Sequence, residues 1–363
     1  MMILRKQMMR LLGISALSSA QLGGAAWVAL LYARGFSMVQ IGIAEGVFHI
    51  ASLLFEIPSG VISDVFGRRR SMALSQMASI VSSLLMVASR SFYGVCAALV
   101  FSAFSYNFAS GAREALAYDS LKSEGKHEYY LRYSALEMSI YRVCSAAATL
   151  LAGFTLWLGY RRANLLDAAF ALAALVLALR LREVTLDQMQ TRERTAVRIR
   201  TCFASALAFV LREGRARRIM LFNALGGAVS ILIAFFMQAQ LPRTGLPQAF
   251  LGPALFVMGL GGVAGARLAV RLAGMRYRTL GALCMCGTAL GCLLVASGRP
   301  YCMCAGGFLA SAMDDLLQVR TDAKLNDMFP SAQRSTLVSV SSLCFSLVMV
   351  ALSPLAGLLF AQM

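Results

Sequence analysis

Long apolar segments recur along the whole chain and restrict its fold more than any other feature. A helix of about 20 apolar residues can cross the hydrocarbon core of a bilayer, which is about 30 Å thick. Such segments lie near residues 11–33, 39–60, 71–89, 92–118, 132–157, 162–181, 216–240, 248–270, 279–298, 301–325 and 335–360. The sequence therefore predicts an all-α integral membrane protein with about eleven transmembrane helices.

The composition excludes a soluble domain. Of the 363 residues, 59% are hydrophobic and only 14% are charged, whereas about a quarter of the residues in a soluble domain carry charge. The sequence lacks the short segments of alternating hydrophobicity that are typical of a membrane β-barrel. The first apolar segment is long and lacks a cleavage site with small residues, which favours a membrane helix over a signal peptide.

Positive charge is distributed unevenly between the predicted loops. The net charge is +17, and most Lys and Arg residues lie in alternate loops, above all between Arg180 and Arg218. Because basic loops stay in the cytoplasm, the amino terminus and the central section are predicted to be cytoplasmic. These loops face anionic membrane lipids, so the charge requires no nucleic-acid partner. The short loops and the lack of an N-glycosylation sequon favour a bacterial cytoplasmic (inner) membrane.

A polar section divides the apolar segments into two groups. It begins with the sequence EVTLDQMQTRERT and then becomes amphipathic, with apolar residues at helical spacing. We interpret it as a linker followed by a helix that lies on the membrane surface. The predicted domains are an amino-terminal helix bundle at 1–182, a cytoplasmic linker at 183–213 and a carboxy-terminal bundle of five spans at 214–363.

Short sequence matches relate the two predicted bundles. SGAREAL at 110–116 resembles SAMDDLL at 311–317, and TLLAG at 149–153 resembles SPLAG at 353–357. The two matches occur in the same order at nearly the same separation, which indicates two related halves, a common plan among secondary carriers. The repeat also predicts a twelfth helix after Met363, so we expect this chain to lack that helix, either naturally or through truncation.

One cytoplasmic loop has a distinctive pattern, Gly60-x-x-x-Asp64-x-x-Gly67-Arg68-Arg69-Arg70. It closely resembles the signature loop between the second and third spans of the major facilitator superfamily. The resemblance covers the chain in span order, the central loop and the repeat. The wider segment QIGIAEGVFHIASLLFEIPSGVISDVFGRRR resembles the drug-efflux-like members. The resemblance implies a secondary transporter with two pseudo-symmetric helix bundles.

The same loop is expected to act as a conformational latch, made of Gly60, Asp64, Gly67, Arg68, Arg69 and Arg70. Gly60 allows close helix approach, and Asp64 can accept hydrogen bonds from free amides at a helix start. The resemblance implies that this start belongs to the eleventh helix, near Arg334. The alternative is an ordinary basic cytoplasmic loop, which explains the arginines but neither Asp64 nor the glycine spacing.

Four polar residues share one face of the second span. Glu45, His49, Ser52 and Glu56 follow one another at steps of three or four residues. An ionisable residue inside the membrane is costly and therefore suggests a function. Desolvation favours the neutral form of a carboxyl group, so Glu56, Glu45 and His49 are candidates for proton coupling. The alternative is a structural contact between helices.

Further polar residues inside spans are candidates for lining a substrate cavity: Asn107, Glu114, Glu137, Tyr141, Arg142, Asp314, Asp315 and Gln318. Arg113 and Arg142 are expected to pair with nearby glutamates. For Arg113, Glu114 and Asp119, an internal salt bridge that only joins helices is an equal alternative. Asp167 is interpreted as structural.

No motif indicates a cofactor, a metal or an enzyme. A Walker motif is absent, and no nucleophile–base set stands out. Cys284-Met285-Cys286 and Cys302-Met303-Cys304 resemble thiolate pairs, but the chain has only two His, which favours helix packing over metal binding.

The sequence thus predicts a proton-coupled secondary transporter that works by alternating access. Efflux of drug-like or amphiphilic compounds by antiport is the first expectation, and uptake of a sugar, peptide or other metabolite is the alternative. A non-transporting sensor or assembly protein on the same fold is the third. The expected partners are a small-molecule substrate, protons and lipids, and we expect a monomer. The fifth span lacks the Gly-Pro-rich motif of many drug–proton antiporters, which weakens the case for export.

Overall fold

The computed structural model describes residues 2–184, 214–328 and 334–363. The first part contains ten helices, which we number along the chain. They are α1 (Met2–Ser19), α2 (Leu22–Ala25), α3 (Trp27–Ala33), α4 (Met38–Phe66), α5 (Arg68–Ala88), α6 (Phe92–Ala109), α7 (Ala112–Lys122), α8 (Tyr130–Leu150), α9 (Ala152–Leu158) and α10 (Tyr160–Leu179). A single 3₁₀ turn, His127–Tyr129, precedes α8.

Five further helices lie in the remainder of the described chain, and a 3₁₀ turn, Gln248–Phe250, precedes the second of them. They are α11 (Gly214–Arg243), α12 (Leu251–Arg271), α13 (Tyr277–Ala296), α14 (Pro300–Met328) and α15 (Arg334–Gln362). No strand occurs within the described ranges, so this part of the chain is all-α, as predicted. The expected linker helix falls within 185–213 and lies outside the described residues.

Eight helices of the described chain are long and apolar enough to cross a membrane, and α8 with α9 adds a ninth if this bent pair is one span. The angle between α8 and α9 is 55°. Two predicted segments fall outside this count for different reasons. Segment 11–33 is divided among α1, α2 and α3. Segment 301–325 lies in α14, whose 29 residues extend about 44 Å, but acidic residues lower its mean hydropathy.

The helices form two compact units, each with its own buried core. The first contains residues 1–30 and 47–198, and the second contains residues 31–46 and 199–363. In the first unit, α1, α5, α7 and α10 contribute residues to a core around Leu11, Met72 and Leu116. The change from one unit to the other at residue 198 falls within the linker predicted at 183–213. In addition, residues 31–46, which belong to the first two predicted spans, are grouped with the carboxy-terminal helices.

Close packing in the second unit depends on small residues. A Cβ atom on Gly261 would collide with the carbonyl oxygen of Phe308, and one on Gly265 would collide with that of Ala312. These glycines therefore let α12 lie directly against the backbone of α14. Such small-residue contacts are the usual way in which membrane helices gain packing energy, because lipid supplies no hydrophobic drive for their association. The tight α12–α14 contact holds the acidic part of α14 inside its unit.

Candidate functional site

The first unit contains a partly open cavity of about 420 Å³, which is lined by both polar and apolar groups. Its wall is formed by the end of α1 and by parts of α4, α5, α6, α7 and α8. Thirteen of its lining residues carry a polar side chain: seven serines, two glutamines, Tyr106, Tyr141, Arg113 and Glu114. Ligand pockets commonly have volumes of about 300–1,000 Å³ but are mostly apolar. The size of this cavity therefore suits a small molecule, and its lining favours a polar one.

Serines of α5 join this helix to α6 and shape one wall of the cavity. The hydroxyl of Ser75 donates to the carbonyl oxygen of Ser105 at 2.9 Å, and that of Ser71 donates to the carbonyl oxygen of Phe108 at 2.9 Å. A third serine of α5, Ser79, accepts a hydrogen bond from the side-chain amide of Gln21 at 3.1 Å. Several lining groups are thus oriented by partners within the protein, which holds the wall in place before a solute binds.

A break between α6 and α7 places two charged residues at the cavity. Gly111 has φ +73°, a backbone conformation that glycine adopts without strain. This turn starts α7, so that Arg113 and Glu114 lie in its first turn. Both side chains line the cavity. The local sequence SGARE therefore produces the charged end of an otherwise hydroxyl-rich space.

Arg113 lies between two glutamates. Its Nε lies 2.7 Å from Oε1 of Glu137 on α8, and one of its terminal nitrogens lies 3.2 Å from Oε1 of Glu114. Ser15 of α1 also donates to Glu137 at 3.3 Å. We call Arg113, Glu114 and Glu137 the cavity triad. It contains one cation and two carboxyl groups, so it carries one excess negative charge unless a proton is bound.

Apart from Nε of Arg113, whose contact with Glu137 is an ion pair and not an aligned hydrogen bond, two buried polar atoms of cavity-lining residues have no hydrogen-bond partner among the described residues. They are Oε2 of Glu114 and the hydroxyl oxygen of Ser18, and both residues line the cavity. An unpaired buried polar group costs about 1–3 kcal/mol. Both atoms can therefore be satisfied by a solute: Glu114 needs a hydrogen-bond donor, and Ser18 can donate or accept.

The polar face of the second span is largely buried. Glu45, His49 and Ser52 are each less than a tenth exposed, and Glu56 is half-buried. Ser52 donates to Oδ1 of Asn107 at 2.9 Å, and Asn107 donates back to the carbonyl oxygen of Ser52 at 2.7 Å. The structure thus places Asn107 in a contact that joins α4 to α6. His49 meets the ring of Phe48 edge-on, with 5.2 Å between centroids.

Glu56 is linked electrostatically to the cavity residue Tyr106. The phenol of Tyr106 is within electrostatic range of Glu56, Glu114 and Tyr141, and Tyr106 and Tyr141 line the cavity. Pro58 interrupts the hydrogen bonds of α4 just after Glu56. The structure therefore brings Glu56 and Glu114 to the same region, whereas Arg142 is exposed on α8 beside the ring of its neighbour Tyr141.

The acidic residues of α14 contact different neighbours within the second unit. Asp314 accepts a hydrogen bond from Ser230 of α11, and the carboxylate of Asp315 packs against Gly262 of α12, where a Cβ atom would collide with it. Asn223 donates to Gln318 at 2.5 Å. These residues, which were candidates for cavity lining, thus join α14 to α11 and α12.

The arginines of the signature loop make contacts inside the first unit. Arg68 forms an ion pair with Asp119 of α7, and Arg69 donates to the carbonyl oxygen of Leu179 at 2.6 Å. The carboxylate of Glu183 accepts from the backbone amides of Arg68 and Arg69, both at 2.9 Å. Gly67, with φ +96°, leaves the room for this carboxylate.

Glu183 is not part of the sequence pattern that marks this loop. The only sequence signal for its role is its position: it is the first acidic residue after the sixth predicted span and directly follows Arg180 and Arg182. The surroundings of Gly60, the side chain of Asp64 and the side chains of 334–339 in α15 lie outside the described residues. The contact between Asp64 and the eleventh predicted span therefore stays a prediction.

Comparison with known proteins gives a family match over most of the chain. Residues 11–301 match the family described as Major Facilitator Superfamily. Among curated proteins, an uncharacterized transporter of Buchnera aphidicola subsp. Schizaphis graminum is 32% identical over 65 residues, which cover 18% of this chain and 17% of that protein. The chain thus aligns with less than a fifth of the length of this relative.

Solved structures give a similarity in fold over nearly the whole chain. The nucleoside transporter NupG has a TM-score of 0.78 at 13% identity, covering 98% of this chain and 91% of that chain. The D-xylose-proton symporter has a TM-score of 0.63 at 12% identity, covering 97% of this chain and 88% of that chain.

Proposed function

Because the chain belongs to the major facilitator superfamily, whose match covers residues 11–301, we propose that it is a proton-coupled secondary transporter for a small polar solute. The observation that carries this proposal is the cavity of about 420 Å³, with its serine-rich lining and its charged triad. Membership of this family makes the chain an integral membrane transporter rather than an enzyme. We place it in a bacterial cytoplasmic membrane, with transport by alternating access of two helix bundles.

The lining favours a polar solute with several hydroxyl groups. An apolar drug would cover the unpaired oxygens of Ser18 and Glu114 without replacing their hydrogen bonds with water, and sites rich in buried polar groups reject such molecules. An anion would have to compete with Glu114 and Glu137 for Arg113. We therefore favour uptake of a polar nutrient over drug export, which was the first expectation from the sequence.

Two solved structures of the same fold support this substrate class by analogy. One is named as a nucleoside transporter and the other as a D-xylose-proton symporter, and nucleosides and pentoses both carry several hydroxyl groups. Because their sequence identity to this chain is low, the similarity applies to the fold and not to the substrate. The cavity lining remains the main support.

Transport by purified protein in proteoliposomes tests the proposal. A radiolabelled nucleoside, a radiolabelled pentose and a hydrophobic cationic dye are compared under an imposed pH gradient. We expect at least one hydroxyl-rich solute to accumulate when the gradient is present and to equilibrate when an ionophore dissipates it. Movement of the dye alone would instead support drug export. No movement of any probe, in protein shown to be folded, would support a sensor or assembly protein.

Filling the cavity is expected to block solute uptake without disturbing the fold. Ser102→Leu adds volume at a lining position, and a steric conflict of this kind costs typically about 1–3 kcal/mol, so solute affinity should fall by at least about fivefold. Ser139→Leu is the matched control, because Ser139 is exposed and donates to its own helix at 2.8 Å. The measurement is the initial uptake rate as a function of solute concentration. Equal losses in both variants would contradict the assignment of the cavity.

Removing the charge of Asp64 is expected to weaken the proposed latch while the protein stays folded. Asp64→Asn keeps the side-chain shape but loses an interaction with a helix start worth roughly 0.3–1 kcal/mol, so uptake should fall by about two- to fivefold. Glu124→Gln is the control, because Glu124 is an exposed acid outside this loop. Uptake is measured together with maleimide labelling of a cysteine at the inner face. If Asp64→Asn changes neither quantity, the loop is only a basic cytoplasmic loop.

A further inference from the structure

The first span is broken beside the cavity. Helix α1 ends at Ser19, α2 occupies only Leu22–Ala25, and α3 starts at Trp27. The first amides of a helix have no partner within that helix. Inside a membrane, backbone amides need partners from the protein, because lipid offers none. The break therefore requires an acceptor from another helix.

Asp167 of α10 supplies this acceptor. Its Oδ1 accepts from the amide of Leu22 at 2.7 Å, and its Oδ2 accepts from the amide of Gly24 at 2.9 Å. Asp167 is only 2% exposed. A Cβ atom on Gly23 would lie 2.8 Å from Oδ2 of Asp167, so the glycine makes room for the carboxylate. We call Asp167 and the backbone of 22–24 the α2 clasp.

The α2 clasp lies next to residues that form part of the cavity wall. Ser18, Ser19 and Gln21 come directly before α2, and all three line the cavity. Gln21 donates across to Ser79 of α5 at 3.1 Å, and the hydroxyl oxygen of Ser18 has no partner in the described part of the chain. A change in the position of α2 would therefore move these groups relative to a bound solute.

No charged side chain near Asp167 neutralises it within the described residues. Helix α10 packs against α1, α2, α5 and α9, and α2 and α9 contain no charged residue. The basic residues of α1 and α5 lie at the other end of α10, where Arg10 and Arg69 donate to the carbonyl oxygens of Arg180 and Leu179. On α10 itself, Arg161 and Arg162 are exposed in the first turn. The carboxylate thus depends on the amides of α2 and on protons.

We propose that Asp167 is a proton-responsive positioning residue that holds α2 while ionised and releases it on protonation. Each carboxylate oxygen accepts a hydrogen bond from one amide, and a bound proton turns one oxygen into a donor. The protonated oxygen is a weaker acceptor, and its own O–H needs an acceptor, so the amide that faces it is held less tightly and α2 is free to move. A link from this movement to solute transport rests on the proposed function, whereas the movement itself does not.

The fluorescence of Trp27 tests the clasp without any solute. The chain has two Trp; Trp27 starts α3, and the other, Trp157, is exposed on α9. In a Trp157→Phe background, the emission of Trp27 is titrated in detergent from about pH 3 to about pH 8, a range that starts below the ordinary pKa of an aspartate, about 3.9. We expect a one-proton transition that is lost in Asp167→Asn, because the amide, like a protonated carboxyl group, has a single acceptor oxygen. Asp119→Asn, which removes the partner of Arg68, should retain the transition.

A second variant changes the clasp sterically and keeps the charge. In Gly23→Ala, the added Cβ atom forces the carboxylate away, so the emission at neutral pH should already resemble that of the parent at acidic pH. Circular dichroism and gel filtration establish whether each variant is folded. If Asp167→Asn does not fold, Gly23→Ala alone decides the test. An unchanged transition in folded Asp167→Asn, or in Gly23→Ala, would overturn the proposal. Failure of solute uptake would leave this result unaffected, because only protons are used.

Discussion

Glu56→Gln is expected to abolish proton-driven accumulation of the solute and to leave downhill exchange largely intact. Glutamine resembles the protonated carboxyl group in shape but cannot release a proton. A carrier that needs this proton to be exchanged in each cycle can then only equilibrate its solute. Uptake under a pH gradient should fall to the level reached without a gradient, whereas exchange of labelled for unlabelled solute should continue.

The position of Glu56 supports this expectation. The side chain is half-buried, and Tyr106 brings it within the electrostatic environment of the cavity. Pro58 removes one backbone donor from α4 directly after it, while Ser59 donates to the carbonyl oxygen of Glu56 at 2.9 Å. A locally opened helix gives water a route to the carboxyl group. Glu45 and His49 lie further along the same face and are buried, which makes Glu45 the second candidate.

The matched control is Glu128→Gln, which changes an exposed glutamate before α8. It should leave both uptake under a gradient and exchange unchanged. Glu45→Gln is measured in the same way. If Glu56→Gln and Glu45→Gln each still accumulate solute against a gradient with normal pH dependence, the polar face of the second span is structural. The coupling acid should then be sought at Asp314 and Asp315 of α14.

The positions of most helices could be predicted because hydropathy alone determines them. The segment predicted at 39–60 corresponds to α4, Met38–Phe66, and the one predicted at 162–181 corresponds to α10, Tyr160–Leu179. A membrane helix satisfies its own backbone, so an apolar segment of sufficient length needs no further information to be recognised. The boundaries shift by a few residues because helices continue into polar flanks, where hydropathy gives no signal.

The break in the first span could not be predicted in this way. The segment 11–33 is apolar throughout and was interpreted as one helix. Its interruption depends on Asp167, which lies 145 residues from Leu22 in sequence. The only local signal is Gln21 followed by a pair of glycines, which many continuous membrane helices also contain. A tertiary hydrogen bond to the backbone thus determines this feature, and hydropathy does not report it.

The candidate site was predicted in part. Glu114 and Tyr141 line the cavity, and Glu137 lies directly behind it, paired with Arg113. Asn107, by contrast, is engaged with Ser52. The serines that dominate the lining gave no sequence signal, because serine is also a common packing residue in membrane helices. Spacing shows which residues share a face of one helix, but the partner helix decides whether that face is open or closed.

Arg113→Gln is expected to have the second large effect, because it removes the only cation of the cavity triad. Glu137 is 8% exposed and would be left buried without its partner. Breaking a buried ion pair costs about 3–5 kcal/mol. Since the Arg113 side chain is 23% exposed, we expect a loss near the lower end of that range, about 3 kcal/mol, and a clear decrease in thermal stability. Solute uptake should be lost as well.

A double variant separates stability from transport in this prediction. Arg113→Gln with Glu137→Gln removes both charges and leaves two amides that can hydrogen-bond to each other, so most of the lost stability should return. Uptake should stay lost, because the charged end of the cavity no longer exists. Arg142→Gln, on the exposed side of α8, is the control for removing a membrane arginine. If the double variant recovers uptake together with stability, the triad only joins α7 to α8, and the solute is recognised by the serines and glutamines of the lining.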